Sequence, residues 1–338
     1  MTAPDICTPV AAQPAARGRR LPRALAGLAL LAAGPLFGLM VATPAVAQPM
    51  PAHTVIVVLE NKGFTDIIGN ADAAYINSLV PQGALMTQSY GMGHPSQPNY
   101  LQLFSGSNQG VTDNSTPHAF STPNLRSALA AQGHSFTGYS ESLPSAGFTG
   151  SAFSTVPGQN QYERKHNPWV NWQGAASNAV PAAENQPFSA FPADYTLLPS
   201  VAIVVPDERH NMHDGSIAAG DAWLQANLQA YATWAQTHDS LLILTFDEDS
   251  GNDNNRIVTL LLGPMVLPGS YGQTVNHLNV LSTVAALYGA QAPGDAAAAA
   301  PILNVFLPVP EPGTWALAAL GLPWIGWRVR RVQLQRRG

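Results

Sequence analysis

The chain has 338 residues, of which 46% are hydrophobic and only 10% charged, and its formal net charge is −5. Nine of the fifteen basic residues, but only two of the twenty acidic ones, lie in residues 1–47 and 311–338, so residues 48–310 hold six basic and eighteen acidic side chains, a net charge of −12. This balance excludes nucleic-acid binding by phosphate neutralisation. The single cysteine, Cys7, precedes that acidic region, which therefore has neither a disulfide nor a thiol nucleophile.

The first 47 residues have the organisation of a secretory signal peptide. Four arginines in residues 17–23 precede an apolar run over residues 25–41, and an A-x-A cleavage site follows at residues 45–47. A membrane anchor is the weaker interpretation, because glycine and proline interrupt the apolar run. We therefore expect an exported protein that is located in the periplasm, at the cell surface or outside the cell.

The domain over residues 48–308 alternates predicted strands and helices. The strands are the apolar, β-branched runs at residues 53–59, 201–205, 241–246 and 256–262, and the helices are at residues 73–79, 100–104, 122–133, 218–237 and 280–288. This alternation predicts an α/β fold with a mostly parallel sheet and helices on both faces. Residues 134–198 have little periodicity, and we interpret them as loop and lid within the same domain.

Ser96 lies between Pro95 and Pro98 in the polar segment over residues 93–100. The fixed φ angle of proline predicts a stiff, irregular loop here, not a helix or a central strand. A serine hydroxyl is a poor nucleophile by itself, so a catalytic role for Ser96 requires a neighbouring base or metal ion. The alternative is a proline-rich surface turn.

Carboxylates follow three of the four predicted strands. Glu60 and Asn61 follow the first strand, Asp207 follows the second, and Asp247 and Glu248 follow the third. Because open α/β sheets place ligands at the carboxyl ends of their strands, we expect these side chains to converge. Oxygen ligands of this kind suit Mg²⁺, Ca²⁺ or Mn²⁺, and such an ion would activate the serine hydroxyl and neutralise a phosphoryl oxygen.

Five motifs in this order resemble the bacterial phosphoesterase family, which contains secreted acid phosphatases and phospholipases C and belongs to the alkaline-phosphatase superfamily. The motifs are ENKGF at residues 60–64, HPSQPNY at 94–100, KHNPW at 165–169, PDE at 206–208 with NMHDG at 211–215, and FDEDSG at 246–251. The resemblance spans residues 53–306 and is best to the acid phosphatase branch. It implies an alkaline-phosphatase-like three-layer sandwich.

The resemblance also implies roles for individual residues. The metal ligands would be Glu60, Asn61, Ser96, Asp247 and Glu248. Ser96 would be the nucleophile that forms a phosphoserine, and Asn99 would contact the phosphoryl oxygens. The oxyanion donors, leaving-group acid or second-metal ligands would come from His94, His166, His213, Asp214 and His277. Members with two zinc ions carry Asp-His where this chain has Asp247-Glu248, which favours one Ca²⁺, Mg²⁺ or Mn²⁺ ion over paired zinc.

We therefore expect a metal-dependent phosphatase acting on small phosphate esters or phospholipid headgroups, with no nucleic-acid partner. A phospholipase C-type phosphodiesterase is the first alternative, and the shape of the lid would decide between them. A Ser-His-Asp hydrolase would need a G-x-S-x-G elbow, which does not surround Ser96. An exported calcium-binding surface protein is the non-enzyme alternative, but the twelfth position from Asp247 is Val258, where an EF-hand has glutamate.

The C-terminal residues 309–338 resemble a PEP-CTERM sorting signal of Gram-negative bacteria. The sequence VPEPGTW at residues 309–315 precedes a short apolar segment that ends at Trp327, and five arginines follow. The apolar part is shorter than the roughly 20 residues of a comfortable membrane span. The resemblance implies that a membrane transpeptidase removes this tail during export.

Overall fold

The computed structural model describes residues 49–308, which contain ten strands and six α-helices. The strands are β1 (His53–Leu59), β2 (Ala84–Tyr90), β3 (Phe136–Ser140), β4 (Ala152–Phe153), β5 (Tyr162–Glu163), β6 (Asn185–Pro187), β7 (Val201–Val205), β8 (Ser240–Phe246), β9 (Arg256–Leu262) and β10 (Gly269–Asn276). The helices are α1 (Phe64–Ile67), α2 (Ala74–Leu79), α3 (Ser96–Ser105), α4 (Leu125–Ala130), α5 (Ile217–Ala235) and α6 (His277–Leu287). The predicted signal peptide and sorting tail lie outside the described residues.

Eight of these strands form one sheet in the order β10-β2-β9-β8-β1-β7-β3-β6. Strand β9 is antiparallel to both of its neighbours, and the other pairs in the sheet are parallel. Strands β4 and β5 form a separate two-stranded sheet. The predicted mostly parallel α/β sheet is confirmed.

The central strand β1 shows why the fold has three layers. Its residues are almost completely buried, and alternate side chains enter different cores. Ile56 and Val58 pack in the core that contains α3, α4 and α6, whereas Val55 and Val57 pack in the core that contains α2 and α5. Helices therefore cover both faces of the sheet, as the predicted three-layer sandwich requires. None of the helices in residues 49–308 combines the length and apolar character needed to cross a membrane.

The interpretation of the serine segment as an irregular loop is wrong. Ser96 is the first residue of α3, with Pro95 at the N-cap position. Pro98 fits because the first turn of a helix has no intrahelical acceptor for its backbone N–H groups, so a missing N–H breaks no bond. A second helix boundary also differs. The helix predicted over residues 122–133 begins at Leu125, because Asn124 is its N-cap and the Asn124 side chain accepts from Ser127 N.

The interpretation of residues 134–198 as loop and lid is incomplete. This segment supplies β3, which pairs with β7 inside the main sheet, and the edge strand β6. It also supplies two of the largest buried side chains, Trp169 and Trp172. Part of the segment is therefore core, and a lid role stays a prediction for the remainder.

Candidate active site

The polar residues that follow β1, Glu60 and Asn61, meet those that follow β8, Asp247 and Glu248, because β1 and β8 are paired neighbours in the sheet. Leu59, the last residue of β1, lies opposite Phe246, the last residue of β8, and the Asp247 backbone N–H donates to the Leu59 carbonyl at 3.0 Å. Asn61 has a φ of 45°, a left-handed conformation that asparagine tolerates. Its backbone N–H donates to Asp247 Oδ1 at 3.1 Å, and its side-chain Nδ2 donates to Glu248 Oε1 at 3.1 Å.

Helix α3 brings Ser96 to these carboxylates from the other side. The Ser96 hydroxyl lies 3.2 Å from Glu60 Oε2 and 3.3 Å from Glu248 Oε1, and the residue is buried. The predicted convergence of Glu60, Asn61, Glu248 and Ser96 is therefore found, and Asp247 is held against Asn61. A buried serine hydroxyl between two carboxylates has the proton acceptors that a nucleophile needs.

The three carboxylates form a strongly unfavourable group of charges in the absence of a counter-ion. Burial raises the pKa of Glu60, and repulsion from Asp247 adds to it; burial also raises the pKa values of Asp247 and Glu248. Two further oxygens, Asp247 Oδ2 and Asn61 Oδ1, are buried without a hydrogen-bond donor. Unsatisfied oxygen ligands and uncompensated carboxylates are what a hard divalent cation would satisfy, so the residues fit such an ion.

A chain of buried polar contacts extends from Glu60 into the interior. Tyr100 donates its hydroxyl to Glu60 Oε1, and His166 Nε2 lies 3.2 Å from the same oxygen, off the direction of a hydrogen bond. On its other side, His166 Nδ1 lies 2.7 Å from Glu208 Oε1. Burial lowers the pKa of His166, although Glu208 opposes the shift. His166 is thus a buried connection between two carboxylates and does not face the cavity.

The cavity above the site has a volume of about 380 Å³ and is lined by Asn61, Lys62, His94, His213, Asp249, Ser250 and Gly251. The His94 side chain is 48% exposed and contacts Glu248 and Asp249 at 3.1 and 3.3 Å. The His213 side chain is 32% exposed and pairs with Asp214 at 2.8 Å. Of the four histidines predicted at the site, these two are the ones that line the cavity and are exposed, whereas His166 and His277 are buried.

Two predicted site residues lie beneath the cavity. The Asn99 side chain donates to Gly93 O at 2.7 Å and to Glu248 Oε2 at 3.1 Å, and it accepts from Met92 N at 2.8 Å. His277 Nε2 lies 2.6 Å from the Asp247 carbonyl oxygen. Both side chains hold the backbone of the site, so a contact of Asn99 with phosphoryl oxygens, which stays a prediction, would require it to exchange these bonds.

The strand-end residues around Asp207 form two groups with spacing suited to a metal ion. Glu208, His213 and Asp214 form one, and Glu141, Asp207 and His210 form the other. In the second group, hydrogen bonds from His210, Arg209 and Ser142 overcome the effect of burial and hold the pKa of Asp207 below its usual value. The charges of Glu141, Asp207 and His210 are therefore already balanced by ion pairs within the protein.

Sequence reasoning did not assign roles to Glu208, Tyr100 or Glu141. Glu208 and Tyr100 were visible as members of the PDE and HPSQPNY motifs, but their contacts with His166 and Glu60 depend on distant parts of the chain. Glu141 follows the missed strand β3, so it carried no signal without that strand.

A three-layer α/β sandwich with a serine among carboxylates at the strand ends defines the alkaline-phosphatase class of fold. Among solved structures, a protein in the alkaline phosphatase superfamily from Vibrio parahaemolyticus is similar with a TM-score of 0.52 at 15% identity, covering 75% of this chain and 71% of that one. The lipoteichoic acid synthase LtaP from Listeria monocytogenes is similar with a TM-score of 0.52 at 11% identity, covering 78% and 79%. These similarities concern the fold alone.

The family follows from sequence comparison. The model of the Phosphoesterase family matches residues 69–291, and the chain belongs to this family. A phosphatidylinositol-3-phosphatase of Mycobacterium tuberculosis is 46% identical over 295 residues, 85% of this chain and 95% of the relative. An acid phosphatase of Aspergillus fumigatus is 30% identical over 257 residues, 73% of this chain and 57% of that relative. The protein is thus a phosphoric ester hydrolase, as predicted.

Proposed function

We propose that this protein is an exported, metal-dependent phosphomonoesterase in which Ser96 forms a phosphoserine intermediate. The observation that carries the proposal is the buried Ser96 hydroxyl, which lies within hydrogen-bond distance of both Glu60 and Glu248. A divalent cation bound by Glu60, Asn61, Asp247 and Glu248 would supply positive charge for the phosphoryl oxygens and the serine oxygen. We favour a single Ca²⁺, Mg²⁺ or Mn²⁺ ion, because the converging ligands are oxygens.

The residues of the chain divide the reaction into two displacements. Ser96 Oγ attacks phosphorus while its proton passes to the Glu60 or Glu248 carboxylate, and the bond from phosphorus to the ester oxygen breaks. The departing alkoxide takes a proton from His94 or His213, the two histidines that line the cavity. Water then attacks the phosphoserine and gives a proton to the histidine that protonated the alkoxide. The bond from phosphorus to Ser96 Oγ breaks, inorganic phosphate leaves, and the carboxylate returns its proton to Oγ. Positioning and charge stabilisation provide most of the catalysis in phosphoryl transfer.

The choice of a monoester substrate rests on the relatives. One is named a phosphatidylinositol-3-phosphatase and matches 85% of this chain, and several others are named acid phosphatases. Both names describe removal of a terminal phosphate, so we favour phosphomonoesters over the phosphodiesters of a phospholipase C. With histidine as the leaving-group acid we expect a bias towards mildly acidic pH, because the ordinary pKa of a histidine side chain is about 6.5. Export through residues 1–47, and removal of the tail over residues 309–338 by a transpeptidase, are parts of the same proposal.

The test is Ser96→Ala, assayed on p-nitrophenyl phosphate, bis-p-nitrophenyl phosphate and phosphatidylcholine. We expect kcat on the monoester to fall by about a thousandfold or more, and an acid-quenched wild-type digest to carry one phosphate on the Ser96 peptide. Ser105→Ala is the matched control, because Ser105 is a buried serine of the same helix whose hydroxyl donates to the Leu101 carbonyl. Wild-type activity in Ser96→Ala would refute the nucleophile, and turnover of the diesters alone would identify a phosphodiesterase.

A further inference from the structure

Helix α3 begins without the side-chain cap that a polar N-cap residue provides. Its N-cap residue, Pro95, has no side-chain acceptor, and Ser96 follows as the first helical residue. An N-cap side chain normally accepts from the N–H of the second or third residue of the helix. In α3 the third residue is Pro98, which has no N–H, so the Gln97 N–H is the donor that needs an acceptor from another part of the chain.

Asn114, from the loop that follows α3, provides this acceptor. Its Oδ1 accepts from the Gln97 backbone N–H at 3.0 Å. At the same place, Gln97 Nε2 donates to the Ser115 carbonyl at 3.0 Å, and Gln97 is only 1% exposed. The backbone and the side chain of the residue that follows Ser96 are therefore both bound to this loop.

The turn that contains Asn114 is itself held in place. Asp113 Oδ1 accepts from both the backbone N–H and the hydroxyl of Ser115, at 3.0 and 2.6 Å. Farther along the loop, the His118 carbonyl accepts from Nη2 of the buried Arg164 at 2.7 Å. The loop thus has a local turn at Asp113 and an anchor at His118, which together give the Asn114 acceptor a defined position against α3.

The bond to Asn114 bears directly on the hydroxyl of the proposed nucleophile. The Gln97 N–H belongs to the peptide group that joins Gln97 to Ser96, so the bond fixes the plane of that peptide. Ser96 Oγ lies 3.2 Å from Glu60 Oε2 and 3.3 Å from Glu248 Oε1. Both distances are longer than the ~2.8 Å typical of hydroxyl hydrogen bonds. A small rotation of the first turn of α3 would therefore take Oγ away from its proton acceptors.

A helix cap with no effect on catalysis is the competing explanation. Loss of a cap costs about 1 kcal/mol of stability wherever the cap lies, so a lower melting temperature alone does not distinguish the two explanations. They differ in the reaction rate. A displacement of a reacting group by about 1 Å lowers a rate by about a hundredfold, whereas loss of a cap distant from the site leaves the rate unchanged.

We propose that Asn114 is a positioning residue, whose side chain holds the peptide between Ser96 and Gln97 so that the Ser96 hydroxyl stays between Glu60 and Glu248. This inference rests on the proposed function, in which Ser96 is the nucleophile. Asn114 acts through Gln97 and is not a ligand of the substrate. Its removal should therefore lower the rate of phosphoryl transfer to Ser96 by about tenfold to a hundredfold and change the substrate dissociation constant by less than about twofold.

The test follows the release of p-nitrophenol from p-nitrophenyl phosphate in single turnovers with the enzyme in excess. The dependence on enzyme concentration gives the rate constant of the first displacement and the substrate dissociation constant separately. Asn114→Ala should show the loss of rate. Asn114→Asp retains an acceptor oxygen at the same position, and asparagine and aspartate are equally good caps, so its rate should recover to within about threefold of wild type.

Asn124→Ala is the matched control. Asn124 caps α4 through Oδ1, which accepts from Ser127 N at 2.9 Å, and its Nδ2 donates to the Asn178 carbonyl at 2.8 Å. This variant loses a helix cap and a second bond, so it should lower the melting temperature at least as much as Asn114→Ala while leaving the rate constant unchanged. An equal loss of rate in Asn124→Ala would make instability the cause and would overturn the proposal.

A wild-type rate in Asn114→Ala, or an equal loss in Asn114→Ala and Asn114→Asp, would also contradict the positioning role. If Asn114→Ala does not fold, Asp113→Ala decides, because it loosens the turn that holds Asn114. We expect a loss of rate of about threefold to tenfold in that variant, and a wild-type rate there would count against the proposal in the same way. Failure of the phosphomonoesterase function appears separately, as undiminished turnover by Ser96→Ala.

Discussion

His277 offers a quantitative test of how the site is supported. The side chain is buried at the start of α6, and its Nε2 donates to the Asp247 carbonyl at 2.6 Å. Its Nδ1 is buried without a partner, so a proton added there would have no acceptor. Burial lowers the pKa of His277 from about 6.5 to about 4, although the bond to Asp247 opposes the shift. His277 is thus mostly neutral above about pH 5, which argues for a positioning role and against a leaving-group acid.

The sign and size of the pH effect follow from linkage. Because the pKa of His277 is lower in the folded state, its neutral form supports folding above about pH 6.5, and this support is lost as the pH falls towards 4. A shift from about 6.5 to about 4 corresponds to about 3 kcal/mol of unfolding free energy at pH 4. His277→Gln retains a donor near the Nε2 position but cannot titrate, so urea unfolding should show about 3 kcal/mol less loss between pH 7 and pH 4 than in wild type.

His277→Asn is the matched control for the donor position. Its shorter amide does not reach the Asp247 carbonyl, so we expect it to be non-titrating but less stable than His277→Gln at every pH. We expect kcat to be lower in His277→Asn than in His277→Gln, because only glutamine retains the hydrogen bond to the Asp247 carbonyl. Identical acid sensitivity in His277→Gln and wild type would refute the burial argument. A loss of the alkaline limb of the pH–kcat profile in His277→Gln would instead make His277 the proton donor.

Two further substitutions test the carboxylate group and the core. Asp247→Asn removes a buried carboxylate whose pKa is raised by burial. With a chelator present, the variant should therefore unfold at a higher urea concentration than wild type at alkaline pH. Without the chelator, elemental analysis should show that bound metal is lost, and full metal content would contradict the ligand role. Gly138→Ala places a Cβ 2.1 Å from the Trp169 ring and should lower the free energy of unfolding by about 3 kcal/mol. In Gly272→Ala, also in a strand, the added Cβ would have no atom within 4 Å, so the same unfolding measurement should show no change.

The sequence predicted the centre of the sheet and missed its margins. Strands β1, β7, β8 and β9 are continuous β-branched and apolar runs that are buried on both faces, so their pattern is strong. Strand β3, with the sequence FTGYS, contains glycine because the Trp169 ring packs against that position, a constraint that only the tertiary structure reveals. Strand β10 is a mostly exposed edge rich in polar residues, which carries no hydrophobic signal.

The candidate site was predictable where it depends on strand ends and unpredictable where it depends on long-range packing. Glu60 and Asp247 each follow a buried strand, and parallel pairing of β1 with β8 brings them together. Ser96 was identified by its motif, but the two flanking prolines led to the prediction of a loop where the structure has the first residue of α3. The division of the histidines into exposed His94 and buried His277 depends on which loops cover them, and a linear pattern does not contain that information.

The cost of the carboxylate group explains several neighbours at once. Glu60, Asp247 and Glu248 are all buried with raised pKa values, so the fold is destabilised at this point and must hold the group by other contacts. Tyr100 donates to Glu60, and Asn99 donates to Glu248, so helix α3 fixes two carboxylates with the turn that also presents Ser96. One helix N-terminus therefore sets both the nucleophile and the ligands that would activate it. A displacement of α3 should lower metal affinity and catalysis together, which separates this arrangement from a site in which the serine and the ligands move independently.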